Sequence, residues 1–247
     1  MREAWKFAAV GGGAGAAIAL VLAFGAAVFG ISPFAAADGQ ALHAYLVSHP
    51  DVLVEMTNKL QARQDADQDN TRQAAVGKLG LKPFFDPRVA FVTGPANART
   101  TVVEFFDYNC PYCRASVPAV KKFYDAHKNA RFAFIEFPIK GRLSTIAARA
   151  AVAARQQPEK YVAFHFALMS QDGVVDENTL YAVARKTGLD VARLKSDMAS
   201  PSVDMALARA HTLAEAAGID GTPAFIVDGK MREGAMDDQV FAQMAKS

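Results

Sequence analysis

A mixed α/β domain carrying a helical insertion, preceded by a helical arm and an apolar leader, is the fold class that three features of the chain predict. From about residue 85 onward, short β-branched and aromatic runs alternate with stretches of helical period. Within that pattern residues 144–217 are rich in Ala, Leu, Arg and Lys, and a strand pattern resumes only at Ala224, which reads as a helical block set between strands. Ahead of it lie a charge-free run and a segment with an apolar stripe. The expected units are therefore 1–37, 38–80 and 81–247, with the insertion at about 144–217.

The first unit has no charged residue from 7 to 37, while Arg2 and Lys6 precede the run and outweigh Glu3. It is long enough for the roughly 20 residues that span a bilayer, so it reads as a membrane anchor. Ala35-Ala36-Ala37 before Asp38 also has the small-x-small form of a cleavage site, so it reads equally as a signal peptide. Either way the basic flank stays inside and the remainder is exported to a compartment where disulfides persist. Gly11 and Gly15 have helix-dimer spacing, a weak signal in so Gly- and Ala-rich a run.

In the second unit Leu42, Tyr45, Leu46, His49, Leu53, Met56 and Leu60 recur at three- and four-residue steps, an amphipathic stripe. Pro50 suits the first turn of a helix better than its middle, so two helices meeting in an elbow at Ser48-His49-Pro50 are expected. A short apolar face without a partner in its own segment packs on the main domain or on another copy of the chain, and 38–75 is the candidate homo-oligomer region.

The third unit resolves into strands at 89–92 and 101–106, a helix at 111–127, a strand at 131–137, and the helical block with breaks near Pro158, Gly173, Gly188 and Pro201. Ala224-Phe225-Ile226-Val227 then ends in an Asp228-Gly229 hairpin turn. With 247 residues, 51% hydrophobic, 21% charged and net charge +2, the chain can bury a core and has no one-signed surface. Its 27 Lys and Arg are dispersed without interleaved aromatics, so nucleic acid is not a partner. His43, His49, His127, His165 and His211 have no metal spacing, and all five are expected at the surface or at helix ends. The eight Met are scattered and read as core rather than a soft-metal box.

The chemistry concentrates in Cys110-Pro111-Tyr112-Cys113, which holds the only two cysteines. The strand 101–106 and the turn residues Asp107-Tyr108-Asn109 lead into it, and Pro111 occupies a first helical position where no N–H is needed. Cys110 thus lies at a helix N-terminus, where free N–H groups and the macrodipole stabilise a thiolate and make it the nucleophile of thiol–disulfide exchange. Cys113 shares its face and can close the ring that releases a mixed disulfide. Structural zinc needs four ligands and finds no second pair here. A structural bridge, which would constrain only a four-residue ring, and a soft-metal site remain as alternatives.

The stretch Phe105-Phe106-Asp107-Tyr108-Asn109-Cys110-Pro111-Tyr112-Cys113-Arg114 resembles the active site of thioredoxin-fold proteins of the disulfide-forming DsbA type. Gly221-Thr222-Pro223 before the strand at Ala224 resembles that family's cis-proline loop, which implies a cis Pro223 opposite the reactive cysteine and an edge free to pair with an extended substrate. The resemblance implies substrate contact by Thr222, Pro223, Pro111 and Tyr112. It also places Glu104 where the family has a buried acid, a proton acceptor for Cys113, and Pro118 where active-site helices kink. The segment 41–53 is similar to the N-terminal region of ScsC-type proteins, which oligomerise through it. The fold implied is a thioredoxin fold with an inserted helical domain.

The activity implied is thiol–disulfide oxidoreduction on exported, cysteine-containing proteins at the periplasm or cell envelope, with a membrane redox partner, no cofactor beyond the Cys110–Cys113 disulfide, and no metal. Tyr112 replaces the His of the most oxidising relatives, and Pro-Tyr resembles the glutaredoxin dipeptide. A couple nearer about −200 to −230 mV than −120 mV is therefore expected, which favours isomerase or reductase over oxidase. A DsbA-type oxidase and an envelope Cu(I)-binding protein using the same thiols are the alternatives.

Overall fold

The structure, a computed structural model, describes residues 35–245, so nearly all of the expected leader, with its basic flank and the Gly11/Gly15 pair, lies outside the described residues. No helix of the described residues is long and apolar enough to cross a membrane. The chain divides into two compact units, up to Gln64 and from Asp65.

In the first unit, helix α1 (Ala35–Ser48) is followed after His49 by α2 (Pro50–Leu79), which continues into the second unit. The break falls where it is expected. Pro50 opens α2 because it has no N–H to satisfy, and the Ser48 hydroxyl turns back to donate to the Ala44 carbonyl at 2.8 Å. The Tyr45 ring stacks on His49 with centroids 4.2 Å apart. Leu42, Tyr45, Leu46, Leu53, Met56 and Leu60, the predicted stripe, are all exposed.

The second unit is built on a five-stranded sheet of order β1-β3-β2-β4-β5: β1 (Phe91–Thr93), β2 (Thr101–Phe106), β3 (Arg131–Glu136), β4 (Ala224–Val227) and β5 (Lys230–Glu233). Only β2 and β3 run parallel, joined by the crossover helix α3 (Pro111–Ala126); the other neighbours are antiparallel. Five helices then follow: α4 (Arg142–Ala154), α5 (Pro158–Met169), α6 (Glu177–Lys186), α7 (Val191–Met198) and α8 (Pro201–Ala217). All four expected breaks separate them. Proline starts α5 and α8, and Gly173 and Gly188 adopt the positive φ that their turns require. A last helix, α9 (Asp238–Met244), closes the chain beside α3.

Because side chains alternate along a strand, the sheet has two buried faces. Val102 and Phe106 of β2, Phe132 and Phe134 of β3, and Phe225 and Val227 of β4 share one core with α3, α9 and helices α4 to α8. Val103, Phe105, Ala133, Ile135, Ala224 and Ile226 form the other, with Ala210, Leu213 and Ala214 of α8 and Val76 from the end of α2. Asp228 and Gly229 take positive φ, 49° and 83°, in the tight turn between β4 and β5. The Asp228 carboxylate ties that turn to the start of β2 by accepting the Thr101 N–H at 2.7 Å.

One expectation fails. His165 is buried in α5, ringed by Phe106, Tyr108, Phe134, Tyr161 and Phe166, and burial pushes its pKa down to about 3. Its Nδ1 pairs with the Tyr108 hydroxyl at 3.2 Å. An imidazole with one polar partner is tolerated inside an aromatic cluster provided it stays neutral. The other four histidines are exposed.

Candidate active site

β2 delivers the chain to the carboxyl edge of the sheet, where 107–110 turns into α3. The Asp107 carboxylate, buried, shapes that turn by accepting three backbone N–H groups: Asn109 at 2.7 Å, and Ile139 and Lys140 at 2.8 Å each. Asn109 then reaches out of the turn, its Oδ1 accepting the Val175 N–H at 2.7 Å, while Arg114 donates to the Tyr108 carbonyl at 2.9 Å. Cys110 is the N-cap, with extended backbone (φ −83°, ψ 120°), and Pro111 is the first helical residue. The first turn of α3 therefore presents its free amides at the Cys110 sulfur.

Cys110 and Cys113 are both buried and carry free thiols. Their acidities are driven far apart. The Cys110 pKa is lowered to about 5, first by the hydrogen bond that the Cys113 thiol gives it, then by the Thr222 side chain and the N–H groups of Cys113 and Tyr112, all against the opposing effect of burial. Cys113 is pushed far upward, chiefly by burial and by donating to Cys110; the charges of Cys110 and Glu104 add to this, and the Asp107 N–H opposes it. Tyr112 is 65% exposed at the rim and contributes no charge. The acidic Cys110 thus owes nothing to residue 112 as a cation.

Across from Cys110 the Thr222–Pro223 peptide is cis. The Thr222 carbonyl accepts from the Cys110 thiol at 3.1 Å, and the Thr222 hydroxyl, without an acceptor among the described residues, is placed to donate once the sulfur ionises. The Pro223 carbonyl is already taken by the Gly234 N–H at 2.9 Å, so the edge expected to be free is only partly so.

Glu104 lies two residues before Phe106, opposite Phe134 and Phe225, and so faces the same core as the two cysteines. It is 2% exposed, its Oε2 has no hydrogen-bonding partner among the described residues, and burial alone raises its pKa to about 8. Its charge is felt at Cys113. Pro118 lies inside α3 as expected. The fold thus brings Cys110, Cys113, Pro111, Tyr112, Glu104, Thr222 and Pro223 to one edge. Asp107 and Asn109, expected only as turn residues, and the buried Tyr108–His165 pair also belong to this region. The Asp-x-Asn spacing before the first cysteine was the available signal for Asp107.

The wider similarities agree with this geometry. Among curated proteins, the chain is 29% identical over 173 residues to the Na(+)/H(+) antiporter NhaA 1 of Salinispora arenicola, covering 69% of this chain and 26% of that protein. The chain therefore spans about a quarter of the length of that relative. It is 32% identical over 180 residues to the thiol:disulfide interchange protein DsbA of Bordetella pertussis, covering 65% of this chain and 84% of the relative. A thioredoxin-like oxidoreductase from Silicibacter pomeroyi matches in structure with a TM-score of 0.61 and 43% identity, over 66% of this chain and 93% of that one. Residues 39–66 match the copper resistance protein ScsC N-terminal domain. Residues 101–245, more than half of the chain and including every residue of the site just described, match the DSBA-like thioredoxin domain, and the chain belongs to that family.

Proposed function

We propose that this chain catalyses thiol–disulfide exchange on exported, cysteine-containing proteins, working as an isomerase or reductase at the cell envelope. The observation that carries the proposal is the split between the two sulfurs: Cys110 is acidic, with a pKa of about 5, while Cys113, three residues on, is held protonated beside it. The Cys110 thiolate attacks one sulfur of a substrate disulfide; that S–S bond breaks, the other substrate sulfur leaves as a thiolate, and a mixed disulfide forms. In the fraction of molecules whose Glu104 is ionised, Cys113 then gives its proton to that carboxylate and attacks Cys110, expelling the second substrate sulfur as a thiolate. The substrate ends reduced by two electrons and the Cys110–Cys113 pair oxidised by two. As an isomerase, the freed substrate thiolate instead attacks another disulfide of the substrate, and the thiolate that this releases attacks the substrate sulfur of the mixed disulfide, so that Cys110 leaves as a thiolate and the number of disulfides is unchanged.

Glu104, with a pKa of about 8, is matched to proton transfer near neutral pH. Pro111, Tyr112, Thr222 and Pro223 line the face that meets the substrate backbone. The exposed apolar side chains from Leu42 to Leu60, in the segment that matches the ScsC N-terminal domain, form the contact between copies of the chain. A membrane redox partner resets the cysteine pair, and no cofactor takes part.

Cu(I) binding by the same pair suits soft thiolates, but it requires both sulfurs to ionise, which the burial of Cys113 opposes. Exchange is the better use of one acidic and one resistant thiol. The deciding experiment is alkylation and gel shift of the chain taken directly from cells. A predominantly reduced pair supports isomerase or reductase; a predominantly oxidised pair assigns it to oxidation.

A further inference from the structure

The loop that faces Cys110 is held in place by a residue far from it in sequence. Near the end of α2 the Arg72 side chain is 13% exposed, and its Nε donates to the Gly218 carbonyl at 3.1 Å. Its Nη2 meets Asp220 Oδ1 and Glu233 Oε2, each at 3.0 Å, with Asp69 at a longer 3.8 Å from Nη1. Glu233, the last residue of β5, lies along the loop. Its Oε1 accepts the Asp220 N–H at 3.3 Å, its carboxylate also holds the Gly221 N–H, and a Cβ built on Gly221 would meet Oε2 at 3.7 Å. One guanidinium therefore fixes both the end of α8 and the carboxylate that carries the two amides immediately before Thr222. Gln73 adds a second fastening by donating to the Gly229 carbonyl at 2.8 Å and accepting the Met231 N–H at 2.9 Å.

Two carboxylates converge on this spot, Asp220 and the half-buried Glu233; burial raises the Glu233 pKa and the Asp220 charge adds to this, while Arg72 pulls it down. Arg72 is the cation that meets both carboxylates beside the loop. Its planar fork satisfies a carbonyl and two carboxylates at once, which a lysine cannot do. Without it the loop amides lose a fixed acceptor, and the segment 218–222 gains freedom that a substrate strand must then remove on binding.

We propose that Arg72 is a positioning residue for substrate capture, setting the Thr222–Pro223 loop through Glu233 and Asp220. The proposal rests on the reading of that loop as the substrate-binding edge. Substrate affinity should fall when the clamp is cut, while the sulfur chemistry, built by α3 and β2, continues.

The test compares full-length chains carrying Arg72→Gln, Arg72→Lys, Asp220→Asn and Pro223→Ala, each confirmed folded by thermal melting, in reduction of a peptide disulfide with kcat and KM determined separately. Arg72→Gln is expected to raise KM about fivefold with kcat changed less than about twofold, and Arg72→Lys to recover part of the loss. Asp220 is 81% exposed, so Asp220→Asn leaves folding intact and should raise KM about twofold; it carries the test if Arg72→Gln does not fold. An unchanged KM in Pro223→Ala refutes the substrate-edge reading, and the Arg72 proposal with it. A raised KM in Pro223→Ala beside an unchanged or lowered KM in Arg72→Gln and Asp220→Asn overturns the Arg72 proposal alone, as does a loss confined to kcat.

Discussion

Replacing Glu104 by Gln should stabilise the protein by an amount that grows with pH. The folded-state pKa of Glu104 is about 8 against an ordinary value of 4.5, because burial among apolar side chains penalises its charge. Native protein therefore keeps the proton at pH values where the unfolded chain has lost it, and stability falls as pH rises from about 4.5 to 8. At about 1.4 kcal/mol per pKa unit, the carboxyl costs close to nothing at pH 4.5, about 3 kcal/mol at pH 7 and about 4 kcal/mol at pH 8. For a chain of this size that is a gain of about 10 °C in Tm at pH 8 for Glu104→Gln over the parent, shrinking toward a constant offset at acid pH. Cys110 contributes with the opposite sign. Its folded pKa of about 5 lies below the ordinary 9, so the reduced native state gains stability between those values. The comparison must accordingly be the difference between parent and variant, both reduced, by urea unfolding at pH 5, 6, 7 and 8. Parallel stability curves would show that Glu104 is not a protonated buried acid and would remove it from the proton-transfer step.

Other outcomes follow from the same geometry. Cys113→Ala should accumulate mixed disulfides with client proteins while Cys110→Ala accumulates few, and equal trapping would contradict the assigned order of attack. A Cys110 pKa of about 5 lies between two reference thiols, at about 7 (thioredoxin, about −270 mV) and about 3.5 (DsbA, about −120 mV), so interpolation places the couple at about −180 mV, somewhat more oxidising than the about −200 to −230 mV expected from Tyr112 alone; a glutathione titration giving about −250 mV or lower would contradict it. Tyr112→His should raise that potential by about 30 mV for each tenfold gain in thiolate stability, and an unchanged potential would mean that the amides and Thr222 alone set the redox poise. Removing residues 38–64 while keeping Arg72, Gln73 and Val76 should leave a folded monomer that reduces insulin but no longer repairs a scrambled substrate; a full-length chain already monomeric by light scattering would end the oligomer argument.

Much of this site was legible because its signals are local. A β-branched run, a turn, then Cys-Pro-x-Cys specify a strand delivering a thiol to a helix N-terminus, and proline and glycine marked all four breaks in the helical block. Strand alternation puts Glu104 on the side of Phe106, but only the sheet order shows that this side is the cysteine face and that Phe134 and Phe225 enclose the acid. His165 was misplaced for a related reason. Phe164-His165-Phe166 lies in a helix with buried positions on either side of it, and which of them meets the Tyr108 hydroxyl depends on how α5 packs against β2 and β3.

The sequence by itself determined the chemistry: two thiols one helical turn apart, a proline loop before a strand, and an acid in an apolar run, each set by residues within a few positions of one another. Tertiary structure decided the energetics. It raised Cys113 by burying it, lowered Cys110 through the hydrogen bond that Cys113 gives and the Thr222 side chain set against it, and joined Arg72 to a loop 148 residues away. Acidity and loop position depend on distances between groups remote along the chain, and those distances exist only once both faces of the sheet are packed.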